Sequence, residues 1–83
     1  MEHLLSVELI VGDKVVSNYL KTFPTVEQAT EEAERILNMQ AELYLEVESG
    51  DFWEWEEYDE GGQLATISIT EDVHSTFKVQ PIA

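Results

Sequence analysis

Eighty-three residues make one domain with one core, spanning 1–83, and 43 % apolar residues arranged with both strand and helix periodicity argue against disorder. Eighteen acids against four bases leave a net charge of −14, and four unclustered cations cannot neutralise phosphates, which excludes direct binding to nucleic acid or to an anionic membrane surface. There is no cysteine, so disulfides, thiolate nucleophiles and cysteine-based metal or iron–sulfur centres are excluded as well.

The first residues, Met1-Glu2-His3-Leu4-Leu5-Ser6, show no basic region followed by an apolar stretch, so no signal peptide is expected. No apolar run reaches the roughly 18 residues of a membrane span. A soluble, cytoplasmic protein is the expectation. A domain this short buries only about 60–65 % of its unfolded surface, and pairing into a homodimer or onto a partner would add burial.

Residues 4–11 read as a strand and 14–22 as its partner, joined by a two-residue turn at Gly12-Asp13. With Val11 opposite Lys14, regular alternation puts Leu5, Val7 and Leu9 on one face with Val16 and Leu20, the expected core side. Phe23-Pro24-Thr25 ends the hairpin. Thr25 followed by Gln28 fits a capping box, and Glu27 suits the positive end of a helix dipole. Val26, Ala29, Ala33, Ile36, Leu37 and Gln40 then form one stripe at helical spacing, with Glu27, Glu31, Glu34 and Asn38 outside it, predicting a helix to about Gln40.

Beyond the helix, strands are predicted over 43–48, 52–58, 64–70 and 76–82, the last read as an edge strand because of Pro81. The fold class is therefore α+β, an antiparallel sheet of about five to six strands with one helix packed across it, in the order ββαβββ(β).

The segment 42–60 carries nine acids and no base, and no Lys or Arg occurs between Arg35 and Lys78. Its acids alternate with Leu43, Leu45, Val47, Trp53 and Trp55. If Ser49-Gly50-Asp51 forms a three-residue turn, those apolar residues share a core face and Trp55 and Trp53 look onto Ile67 and Ile69. Tyr44, Glu46, Glu48, Phe52, Glu54, Glu56 and Tyr58 then face outward, with Glu54 and Glu56 over Ser68 and Thr66. Glu46 and Glu54 would stand opposite one another at about 5 Å, an unfavourable pair of like charges, with outward positions repeating every ~6.6 Å. Glu57, Asp59 and Glu60 extend the patch. A plain solvated acidic surface would need no such ladder.

Catalysis and metal binding find little support. His3 and His74 have no spacing relation to each other or to a nucleophilic serine, and no phosphate loop, nucleophile elbow or His-Glu-x-x-His pattern occurs. Exposed glutamates among other glutamates lack the separated environments that divide acid from base roles. Asp51 to Glu60 lacks calcium-loop spacing. No enzyme, cofactor or dedicated metal site is expected.

In size and charge the chain resembles the small phage-encoded inhibitors that mimic DNA, anti-CRISPR proteins among them; no motif is shared. That resemblance implies an acidic binding protein that occludes the cationic nucleic-acid-binding site of a partner. Glu46, Glu48, Glu54, Glu56, Glu57, Asp59 and Glu60 would stand in for phosphates, flanked by Tyr44 and Tyr58. The alternative is a small accessory or assembly subunit docking on a larger complex through an apolar patch or an edge strand.

Overall fold

The structure, a computed structural model, describes residues 2–46, 53–58 and 61–82. Five strands, β1 (Glu2–Val11), β2 (Lys14–Phe23), β3 (Glu56–Tyr58), β4 (Gly62–Ser68) and β5 (Val73–Ile82), form one antiparallel sheet in the order β2-β1-β5-β4-β3. One helix, α1 (Val26–Gln40), lies across one face. The expected α+β class is the one observed.

The β1–β2 turn forms where expected, with Gly12 at φ 63°, a conformation that glycine adopts without a Cβ penalty. Val11 pairs with Lys14 and Ile10 with Val15, but Leu9 then pairs with Ser17, leaving Val16 as a β-bulge. One inserted residue exchanges the faces of everything after it. Ser17, Tyr19 and Lys21, not Val16 and Leu20, therefore stand beside Leu9, Val7 and Leu5. Leu20 is 59 % exposed and Val16 57 % exposed, so neither belongs to the core.

Thr25 caps α1: its backbone is extended and its hydroxyl accepts the Gln28 N–H at 3.2 Å. Ala29, Ala33, Ile36 and Leu37 are buried, as the stripe predicts. The path does not leave the helix at Gln40. Residues Ala41–Leu45 continue as a π-helical turn that ends at Glu46, whose φ of 55° is left-handed and whose N–H donates to the Ala41 carbonyl. The strand predicted over 43–48 is thus absent from its described part. Leu37, Ala41 and Leu45 recur every fourth residue, and Ala41 is fully buried, so the helical stripe outlasts the alternation of Leu43 and Leu45.

On the far side of the sheet, 53–55 are irregular and strand geometry begins only at Glu56. Glu56 pairs with Leu64 and Tyr58 with Gly62, two residues along from the expected contact with Thr66 but of the same parity. β5 is a central strand, not an edge. Pro81 is tolerated because pairing with β4 ends at Val79, beyond which only β1 flanks the strand.

The core lies between α1 and the facing side of β1, β5 and β4. Leu5, Val7, Ala65, Ile67, Phe77 and Val79 meet Ala29, Ala33, Ile36 and Leu37, with Phe23, Val26, Trp53 and Trp55 packed at its margin. Trp53 and Trp55 touch edge to face, centroids 5.5 Å apart, and the Trp55 indole N–H donates to Glu34 at 3.3 Å. That bond fastens 53–55 to the helix. No helix among the described residues is long and apolar enough to cross a membrane.

Candidate functional site

Among the described residues the carboxylate ladder does not form. Glu46 sits at the end of the π-turn and Glu54 in the irregular segment, so they are not cross-strand partners. Glu56 and Glu57 are consecutive in β3 and point to opposite faces of the sheet: Glu56 shares a row with Leu64 and Lys78, Glu57 with Gln63 and Val79. Glu48, Asp59 and Glu60, and the expected turn at Ser49-Gly50-Asp51, lie outside the described residues. Glu46, Glu54, Glu56 and Glu57 are all exposed, but they belong to different elements and faces.

The two tyrosines are separated too. Tyr58 covers the backbone of Gly62, donates its hydroxyl to the Gln80 side chain at 3.2 Å, and carries the Lys78 ammonium 5.8 Å from its ring centre. Tyr44 is on the π-turn, 60 % exposed, at the other side of the molecule, where it faces β2.

There a different site takes shape. α1 packs chiefly on β1 and β5 and leaves β2 exposed from Lys14 to Thr22, opening a groove of about 400 Å³ between helix and sheet. Val7, Leu9 and Tyr19 form its floor and Ile36, Met39 and Tyr44 its helical wall. Gln40 lines it as well, and the buried Gln40 Oε1 has no hydrogen-bond partner among the described residues. β2 itself is a ten-residue edge strand, exposed from Lys14 to Thr22.

The large exposed hydrophobics among the described residues lie around β2, with Tyr19, Met39 and Tyr44 in the groove and Val15 and Leu20 on the opposite face of the sheet. Val11, Val15, Val16, Tyr19 and Leu20 belong to the β1–β2 hairpin, and Met39, Leu43 and Tyr44 to the end of α1 and its π-turn. Scattered singly, such residues would need no explanation; gathered around one edge strand, they mark a contact surface.

Charge is partitioned in the same way. β2 holds no acid and two of the four cations, Lys14 and Lys21, and Arg35 lines the groove. Arg35 bonds the Glu32 carboxylate, the one ion pair among the described residues. Chiefly through that bond, Glu32 is held below the usual carboxylate range, against a small opposing effect of burial, with Lys21 and the Tyr19 hydroxyl lowering it further. Lys21 in turn lies 5.3 Å above the Phe23 ring.

Of the groove residues only Tyr44 is a functional candidate from the sequence; Val7, Leu9, Ile36 and Gln40 read there as core positions. A signal was present, for 14–26 is free of acids in a chain that has eighteen. His3 and His74 fall on opposite faces of the sheet: His3 in the row of Phe23 and Pro81, His74 in that of Ile10 and Ser68. Among the described residues no three acids or histidines converge as a metal site would require. No family model, curated protein or solved structure matches the chain.

Proposed function

We propose that this chain is a non-enzymatic docking domain that attaches to a larger protein through the β2 edge and the groove beside it. One observation carries this reading: an apolar groove lined by Tyr19, Met39 and Tyr44 runs beside an unpartnered edge strand that is free of acids and exposes further apolar side chains. An interface needs an apolar, desolvated centre with a polar rim, and Tyr19, Met39 and Tyr44 supply that centre with Lys21 and Arg35 at its edge. The acid surplus on the remaining surface keeps the domain from aggregating through the same patch.

A second reading is favoured by a different observation. A single ion pair joins the described charges, which leaves the exposed glutamates Glu46, Glu54, Glu56 and Glu57 without cationic partners there. An unneutralised acidic surface is what occlusion of a partner's cationic, nucleic-acid-binding site would use. Among the described residues these glutamates do not form a spaced array that would imitate a phosphate backbone.

Two variants separate these readings. M39E with Y44E places charge in the apolar groove; E46K with E54K and E56K reverses the acids. Each is used to recover partners from host extract along a salt gradient. Docking predicts loss with the first variant, retention with the second and persistence at high salt. Loss with the second alone, with elution at modest salt, favours occlusion and overturns docking.

A further inference from the structure

We infer that the β2 edge takes up an extended strand of a partner protein, apolar at alternate positions and acidic at both ends. This inference rests on the docking reading and specifies the chemistry of the occupant. β2 offers ten residues of edge, and a chain laid beside it at about 4.8 Å would complete the backbone hydrogen bonds that the edge leaves open. Alternate side chains of that strand fall on the helix side, next to Ser17 and Tyr19 and beneath Met39 and Tyr44, where the groove is open. The groove is bounded on its far wall by Ile36 and Met39 of α1, whose apolar side chains meet those of an incoming strand. Gln40 Oε1, buried there without a donor among the described residues, would accept a bond from a hydroxyl on the incoming strand.

Charge sets the ends. Lys14 opens β2 and Lys21 lies near its close, with no acid between them. Their separation corresponds to about seven residues of extended chain, roughly 20 Å. A segment of that length with an acid at each end meets both ammonium groups. A second copy of this chain fits poorly: each copy carries −14, and neither β2 strand holds an acid to meet the other's Lys14 and Lys21. The Val16 bulge and the two lysines are also the devices by which edge strands avoid pairing with themselves.

The test uses the full chain and three synthetic peptides of about seven residues. The first alternates valine and threonine between terminal glutamates, the second has lysines in place of the glutamates, and the third repeats the first with N-methyl groups on alternate residues. Binding is read by fluorescence anisotropy and by slowed amide exchange along β2. The glutamate peptide should bind and protect β2 amides, the lysine peptide about tenfold more weakly, and the methylated peptide not at all. K21E should narrow or reverse the preference between the first two. Equal binding of the methylated peptide, indifference to the terminal charge, or binding by none of the three overturns the inference. If the peptides fail while M39E with Y44E still abolishes partner recovery, docking stands and only the strand chemistry is lost.

Discussion

Ala41 and Leu43 give opposite answers depending on whether the chain after Gln40 stays helical or turns into a strand. In the structure Ala41 is fully buried and Leu43 is 65 % exposed. Cutting Leu43 back to alanine would remove about 2.4 kcal/mol of transfer free energy if the side chain were wholly buried, at ~0.8 kcal/mol per carbon. With roughly a third of the residue out of water, L43A should cost about 1 kcal/mol or less. A41L instead forces extra carbons into filled space and should cost about 1–3 kcal/mol. The strand reading reverses the order: Leu43 would be a core residue whose truncation costs about 2–5 kcal/mol, and Ala41 a tolerant loop position. Urea unfolding followed by circular dichroism resolves the two. With a slope of about 1 kcal/mol per molar, L43A should move the midpoint by less than ~1 M and A41L by ~1–3 M. If L43A proves the more damaging of the pair, the π-turn is refuted, and Tyr44 loses its place in the groove.

Other outcomes follow from single features. Two like charges 10 Å apart in water repel by about 0.4 kcal/mol, and the screening length shrinks from ~30 Å at 0.01 M to ~8 Å at 0.15 M salt. Calorimetry should therefore show the melting temperature rising by several degrees over that range, and a flat or falling trend would contradict a surface dominated by repulsion. Ser75 is fully buried and its hydroxyl has no partner among the described residues, so S75A should stabilise by on the order of 1 kcal/mol, seen as a melting point ~4–8 °C higher. A Cβ on Gly62 would approach the Tyr58 ring to 2.8 Å, and G62A should cost about 1–3 kcal/mol in the same urea assay. Because Arg35 depresses the Glu32 pKa, that carboxylate's contribution to stability is present above its unfolded pKa and is lost as pH falls through the folded one. R35A should return Glu32 towards ordinary titration, which carboxyl chemical shifts measured by NMR would follow.

Where local chemistry decided the structure, the sequence could be read directly. Gly12-Asp13 specified its turn, Thr25 and Gln28 the start of the helix, and the Ala29-Ala33-Ile36-Leu37 stripe its buried face. Two misreadings had definite causes. The bulge at Val16 leaves no mark in the residues, since Val15 and Val16 both suit a strand and regular alternation assigns them to opposite faces. Leu43 and Leu45 alternate over too few residues to tell a strand from a helix, and it is Ala41, unremarkable in the sequence, that carries the helical stripe onward. The acidic ladder depended on both strands of its hairpin, so it fell with the first. The groove was legible only indirectly, through the acid-free stretch 14–26, because it is made by two elements that the sequence separates and by where α1 chooses to cross the sheet.

The pairing of β1 with β5 has a consequence for the order of assembly. Val7 and Phe77 are neighbours in the middle of the sheet, and both are covered by α1. During synthesis the first hairpin and the helix leave the ribosome early, yet the helix has half its floor missing until the last strand arrives. A domain closed by so distant a contact folds late and slowly for its size, since the loop between the two strands must be ordered before its closure is rewarded. Until then the nascent chain shows its apolar stripe to the solvent, with only its own negative charge to hold neighbouring copies apart.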